Sequence, residues 1–236
     1  MSSEFEAVCP GVFMVGGGGL SSAADCLVYA LNLGELVLID CGSGASWPRI
    51  KQNMSAAGLD PDRLHTLVLT HGHVDHIGSA ARIRRECGCR VVAHADDAAA
   101  ITSGDPRFSV AHLYGVDLEP CELDLVVSGE QERLSFPEGE LLLLHTPGHT
   151  PGSLSAVLDT DGSRVLLGQD IHGPFSHDFG SDLDAWRASM RKLLDLEADI
   201  LCEGHFGVFQ PASEVKSFIE GQLAAPKTIM PVPGSI

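Results

Sequence analysis

Basic residues are scarce in this chain: Lys and Arg number 15 against 32 Asp and Glu, a formal net charge of −17 over 236 residues. Phosphate backbones are held by clustered Lys and Arg, so this balance argues against a nucleic-acid partner. The densest basic group, Arg82, Arg84 and Arg85, reads as the solvated face of a helix, and the acidity reads as solubility. No apolar run approaches the roughly 18 to 20 residues that span a bilayer. The opening MSSEFEAVCPG lacks the basic-then-apolar order of a secretory signal, so a cytoplasmic protein without a membrane partner is expected. None of the seven cysteines (Cys9, Cys26, Cys41, Cys87, Cys89, Cys121, Cys202) pairs in CxxC spacing, which suggests neither a zinc knuckle nor a disulfide framework. Tyrosine is rarer still, with only Tyr29 and Tyr114.

Apolar residues are plentiful: at 44% they suffice for a sizeable core without staples, and no linker or repeat divides the chain, so one domain over 1–236 is expected. Strands are expected over Val12–Val15, Cys26–Leu31 and Glu35–Ile39, with Asn32-Leu33-Gly34 as a hairpin turn. Helical spacing follows over Trp47–Gly58, then a strand over His65–Thr70, a helix over Ile77–Glu86 and a strand over Arg90–Ala93. This alternation indicates an α/β fold built from βα units. Residues 101–139 mix Gly, Pro, Ser and acids and read as a long surface connection of the kind that forms lids or binding loops. Strands over Glu140–His145, Leu154–Leu158, Ser163–Leu167 and Asp199–Cys202 and helices over Leu183–Leu196 and Ala212–Leu223 complete the pattern. The Pro-rich tail PKTIMPVPGSI is expected to be loose.

The densest chemistry lies in THGHVDHIG, residues 70–78, which places His71, His73, Asp75 and His76 on a strand-to-helix turn. His71 and His73 are two apart and share a side in extended backbone. Four ligand-type groups in six residues exceed the demand of one tetrahedral ion once other loops contribute. They do contribute: LLLLHTPGHTPGS delivers His149, VLLGQD ends at Asp170, and ADILCEGH delivers His205. Each lies just past the C-terminal end of an expected strand, where α/β sheets collect their chemistry. The favoured assignment puts His71, His73 and His149 on one metal and Asp75, His76 and His205 on a second, with Asp170 bridging. Imidazoles with a shared carboxylate suit zinc first, with iron or manganese as alternatives. Two such cations would supply hydroxide near neutral pH and polarise a carbonyl. The other histidines take plainer readings: His65, His94 and His112 as satisfied core or surface residues, and His145 as facing the core or the outside of the site.

THGHVDHIG followed by TPGHT, GQD and EGH in this order, preceded by LIDCGSG, resembles the metallo-β-lactamase superfamily over nearly the whole chain. That resemblance implies a four-layer αββα sandwich with a dinuclear site at one edge. It also implies that Asp40, in LIDCGSG, supports the ligands rather than binding metal.

Within the superfamily the bridging Asp170 points away from antibiotic hydrolysis, and the charge away from tRNA-processing nucleases. Thioester hydrolases resembling glyoxalase II carry the full ligand set, but the segment IHGPFSHDFGS (171–181) has no Lys, Arg or Tyr of the kind that holds glutathione. Acyl-homoserine lactonases place a tyrosine after the bridging aspartate, where this chain has Phe175; Tyr114 could enter from the long connection instead. His172, Phe175 and Tyr114 are therefore the candidate substrate contacts. The expectation is a dinuclear metallohydrolase of a small acyl compound, thioester first and lactone second. In it Asp75 orients the nucleophile, Asp170 bridges, and the assembly is compatible with a homodimer. A mononuclear iron persulfide dioxygenase is the alternative from another class.

Overall fold

In the computed structural model, which describes residues 4–232, the strand β3 (Val28–Asn32) is buried on both faces. Tyr29 and Leu31 pack on one side, Val28 and Ala30 on the other. A strand apolar on both faces needs a layer against each, and the chain supplies them. One sheet has seven strands in chain order: β1 (Glu6–Cys9), β2 (Val12–Gly16), β3, β4 (Leu36–Ile39), β5 (Leu64–Val68), β6 (Arg90–His94) and β7 (Leu125–Val127). Its first four strands run antiparallel to their neighbours, while β4 to β7 run parallel. The second sheet contains β8 (Gln131–Phe136), β9 (Gly139–His145), β10 (Leu154–Thr160), β11 (Ser163–Gln169), β12 (Ile200–Glu203) and β13 (Val208–Phe209), in the order β13-β12-β11-β10-β9-β8. Only the pairing of β11 with β12 is parallel in this sheet.

Three apolar layers hold the assembly. Between the sheets, Tyr29, Leu31, Val37 and Ile39 meet Leu141, Leu143, Leu158 and Val165. On the outer face of the first sheet, α1 (Trp47–Ala56), α3 (Ala80–Cys87) and α4 (Ala95–Ser103) contribute Trp47, Ile50, Met54, Ile83 and Ile101. On the outer face of the second, α6 (Leu183–Leu194) and α7 (Ala212–Ala224) contribute Trp186, Met190, Leu193, Val215 and Ile219. The result is the αββα sandwich. The spacing of Trp186, Met190 and Leu193 puts them on one stripe of α6, and Asp182 caps its first turn by accepting from Asp184 N and Ala185 N. Such a cap contributes about 1 kcal/mol.

Three expectations need correction. Residues 101–139 are not one surface connection: the end of α4, a short helix α5 (Ala111–Tyr114), β7 and β8 all lie within them. Both strands are sheet edges with one solvated side, and β8 (QERLSF) turns only Leu134 and Phe136 fully inward. Its polar alternate positions concealed it in the sequence. The helix expected over Ile77–Glu86 is instead two, α2 (Val74–Ile77) and α3, broken at Gly78-Ser79. Gly78 lies so close to the Ser43 and Gly44 backbone that a Cβ there would overlap it. The tail is also not loose as far as it is described. Met230 N donates to the Phe175 carbonyl at 2.9 Å, Val232 N to Asp178 Oδ2 at 2.6 Å, and Lys227 Nζ to the His172 carbonyl at 3.0 Å. Residues 233–236 lie outside the described residues. The strands β1 and β13 are additions that the sequence reading did not contain. No helix among the described residues is long and apolar enough to cross a membrane.

Candidate metal centre

The C-terminal ends of five strands from the two sheets converge on one edge of the sandwich. Asp40 follows β4, His71 and His73 follow β5, His149 follows β9, Asp170 follows β11 and His205 follows β12. Asp75 and His76 sit on the single turn α2. Two of these placements use strained backbone, with Asp40 at φ 59° and Gln169, just before Asp170, at φ 46°. Such conformations cost about 1–3 kcal/mol each and persist where the surrounding fold over-determines them.

The seven candidate ligands divide into two groups. His149 Nε2 lies 3.2 Å from His71 Nε2 and 3.0 Å from His73 Nδ1, and Asp170 Oδ2 is 3.6 Å from His149 Nε2 and 3.9 Å from His71 Nε2. In the second group Asp75 Oδ2 is 3.7 Å from His76 Nε2 and 3.3 Å from His205 Nε2, while Asp170 Oδ1 is 3.3 Å from both imidazoles. Ligands about 2.0–2.1 Å from a tetrahedral cation stand about 3.3 Å from one another, so both groups have the spread of a coordination shell. Asp170 turns one oxygen to each group. His76 Nε2 and Asp170 Oδ1 are buried and make no hydrogen bond, as atoms reserved for a cation would. The donor set therefore fits two divalent ions.

Three of the outer nitrogens, those of His71, His76 and His149, are held by the protein. His149 Nδ1 donates to the Pro174 carbonyl at 2.6 Å, and His76 Nδ1 donates to Asp40 Oδ2 at 2.6 Å. Asp40, fully buried, also accepts from Thr70 N at 2.8 Å and from Thr70 Oγ1 at 2.7 Å, and that hydroxyl is 3.2 Å from His71 Nδ1. One carboxylate thus orients an imidazole in each group and leaves each Nε2 lone pair facing inward. Asp40 does not join either ligand group.

Burial sets the protonation of the first group. It pushes His71 and His73 well below the ordinary imidazole value and His149 down to about 4. The second group is opposite. At His205 burial disfavours the cation, but the carboxylates of Asp170 and Asp75, each 3.3 Å from Nε2, raise it to about 10. At His76 burial again opposes charge, yet Cys26 and the carboxylates of Asp170, Asp40 and Asp75 hold it well above the usual value. Burial pushes the Cys26 thiol itself up, leaving it neutral, so the carboxylates carry this effect. Asp170 and Asp75 are held low against burial by His76 and His205.

A cavity of about 380 Å³ opens on the centre, lined by His73, Asp75, Asp170 and His205 together with apolar side chains. All three candidate substrate contacts, His172, Phe175 and Tyr114, line it. Phe175 is buried edge-on to Trp186 at 5.3 Å, so mainly its neighbours meet the solvent side. No Lys or Arg lines the cavity. Of the histidines read as ordinary, His65 pairs with Glu35 at 3.2 Å on the surface and His112 Nδ1 donates to the Pro106 carbonyl at 2.9 Å. His145 stacks on His94 at 3.7 Å, and its Nε2 donates to the Pro151 carbonyl at 2.8 Å, bracing the loop that carries His149.

Two carboxylates were missed by the sequence reading. Glu203, fully buried, accepts from His172 Nδ1 at 2.6 Å, from His205 N at 2.7 Å and from Phe206 N at 2.9 Å. Asp97 accepts from Gly72 N at 2.9 Å, Thr150 Oγ1 at 2.8 Å and Gly152 N at 2.7 Å, tying the His71 loop to the His149 loop. The available signal was position: Glu203 ends β12 within CEGH, and Asp97 closely follows β6 in HADD.

Known proteins resemble this chain to different extents. An uncharacterized Mycobacterium leprae protein is 29% identical over 192 residues, covering 77% of this chain and 85% of the relative. The probable metallo-hydrolase YflN of Bacillus subtilis is 27% identical over 204 residues, with 72% and 75% covered. A hydroxyacylglutathione hydrolase of Cereibacter sphaeroides is 29% identical over 182 residues, with 76% and 60% covered. Among solved structures, a metallo-beta-lactamase motif mutant from Cronobacter sakazakii superposes with a TM-score of 0.78 at 21% identity, covering 94% of each chain. The family model for the metallo-beta-lactamase superfamily matches residues 22–205, taking in the ligand-bearing loops from Asp40 to His205, and the chain belongs to that superfamily of metal-dependent hydrolases.

Proposed function

We propose that this protein hydrolyses a small acyl compound, a thioester first, at a centre of two divalent metal ions, zinc before iron or manganese. The observation that carries this reading is the division of Asp170, whose Oδ2 faces the His71–His149 group and whose Oδ1 faces the His76–His205 group. Bound there, two cations would supply Lewis acidity and a nucleophile at neutral pH. Asp75 and Asp170 hold the reacting oxygen's surroundings in place, both carboxylates remaining charged. His172, fixed by Glu203, and the Tyr114 phenol face the cavity where an acyl group would lie. Burial and the Asp75 and Asp170 carboxylates push that phenol well up, so it acts as a neutral hydrogen-bond donor.

A lactone is the second reading, favoured by the cavity's lack of a cation for the carboxylates of glutathione. The seven free thiols and the acidic surface support a cytoplasmic protein acting on a small molecule rather than a nucleic acid. The test is elemental analysis of protein purified without chelator, with oxygen uptake measured in parallel. About two ions per chain, hydrolysis of a thioester or lactone panel and no oxygen uptake are expected. One iron per chain with persulfide-dependent oxygen uptake would replace this reading with a dioxygenase.

A further inference from the structure

The cavity over the metal centre borrows part of its wall from the end of the chain, and we infer that Lys227–Val232 is a specificity strap that selects substrates by an aliphatic chain on the acyl group. The inference rests on the acyl-hydrolase reading and names the part of the substrate the protein recognises. Met230, Pro231 and Val232 share the cavity lining with Leu113 and Tyr114, and the same cavity reaches Asp75 and Asp170. Large apolar side chains stand in water around its mouth: Met230 is 62% exposed, Leu113 47% and Tyr114 39%. That arrangement is unfavourable until an apolar ligand covers them. An anionic ligand finds no Lys or Arg in the lining. The nearby Lys227 Nζ is already committed, donating to the His172 carbonyl at 3.0 Å and to Gln222 Oε1 at 2.6 Å.

The strap is fixed rather than draped. Besides Lys227, Met230 N donates to the Phe175 carbonyl and Val232 N to Asp178 Oδ2, so all three anchors fall on the segment that follows the bridging Asp170. Backbone anchors leave the Met230 side chain to meet the ligand, while Val232 packs against Val110 and Phe179 beneath it. A wall ordered beforehand loses little on binding and so discriminates by fit.

The experiment compares acetyl, butanoyl, hexanoyl and octanoyl thioesters of N-acetylcysteamine as substrates. The binding of N-methylbutanamide, N-methylhexanamide and N-methyloctanamide, which are not turned over, is followed in parallel by ligand-observed NMR. Full burial of each methylene gives up to about a fourfold gain, so kcat/KM and affinity should climb with chain length until the cavity is filled. Two variants test the strap: a chain ending at Pro226, and Met230→Ser in the full chain, which keeps all three anchors if the truncated chain does not fold. Both should flatten the climb to less than about twofold per methylene. If no thioester or lactone is hydrolysed while amide affinity still climbs and Met230→Ser flattens it, the hydrolase reading fails and the strap stands. Affinity independent of chain length in the unaltered protein, or a climb that survives Met230→Ser, overturns the strap.

Discussion

The two halves of the candidate metal centre share Asp170, yet they hold protons in opposite ways. His71 and His149 meet one carboxylate oxygen, Asp170 Oδ2, no nearer than 3.6 Å, and at all three imidazoles of this half burial outweighs the carboxylates and favours the neutral form. His76 and His205 each face Asp75 and Asp170 through Nε2, His76 also faces Asp40 through Nδ1, and both are held above the ordinary imidazole value, His205 at about 10. A metal ion competes with protons for the same lone pairs. The three-histidine half therefore offers a cation ready-made ligands, while the half containing Asp75 must release protons to accept one. On the two-ion reading, carboxylates nearby would raise the charge available to a second ion and at the same time make its binding depend on pH.

The largest effects come from breaking what the halves share. Asp170→Ala should remove the second ion and lower turnover to about a thousandth or less, the scale of several kcal/mol of lost transition-state stabilisation. Full metal content with near-normal activity would remove Asp170 from its bridging role. Gly204→Ala attacks the same group from behind, because a Cβ there would collide with Asp170 Oδ1. It should resemble Asp170→Ala in metal content while leaving every ligand in the sequence.

The comparison sharpens next through pH. Lowering the pH from 8 to 6 should strip one ion per chain before the other. Each proton that must leave on binding costs about tenfold in affinity per pH unit. The sign follows from the shifts: His205 and His76, raised, are protonated throughout this range in competition with metal, whereas His149, at about 4, is not. Metal content after dialysis at each pH, with calorimetry in buffers of different ionisation enthalpy, reads both stoichiometry and protons released. Two ions lost in parallel would mean the halves are equivalent. Asp40→Asn should have a smaller effect, lowering metal affinity about 10- to 100-fold through His76 and, by way of Thr70, His71. Unchanged affinity would make Asp40 a structural residue only.

The contrast between halves was legible in the sequence only as a list of ligands. THGHVDHIG, His149, Asp170 and His205 stand out because strand ends are apolar and ligands are not, so the boundary marks itself. The same rule exposes β5, β9 and β11, each a largely apolar run leading to a ligand loop. It fails at β7 and β8, whose solvated sides make them read as surface loop, and at Lys227–Val232, where Pro231 and the prolines on either side of the segment suggest looseness while its backbone is anchored. Glu203 and Asp97 were hidden for another reason. A single carboxylate among 32 acids carries no local mark, and only the fold brings the donors from Gly72, Thr150 and Gly152 to Asp97.

Asp97 therefore supplies the mildest test, one of stability rather than catalysis. Burial pushes its carboxyl up to about 6 against the pull of its three donors. The folded protein thus holds this proton more tightly than the unfolded chain, whose carboxyl titrates near 4. Between about pH 4 and 6 the folded state binds the extra proton, so Asp97's contribution to stability falls as pH rises through that window and is level above it. Asp97→Asn removes the titration, keeps one acceptor oxygen and forfeits at least one of the three hydrogen bonds. It should cost about 1–2 kcal/mol at pH 7 and more at pH 5, where the wild-type carboxyl gains from its bound proton and Asn does not. Thermal or urea unfolding of both proteins across this range measures the difference directly. A gap between them that does not change with pH would mean that Asp97 is ionised at both values and joins the His71 and His149 loops as a permanent charge.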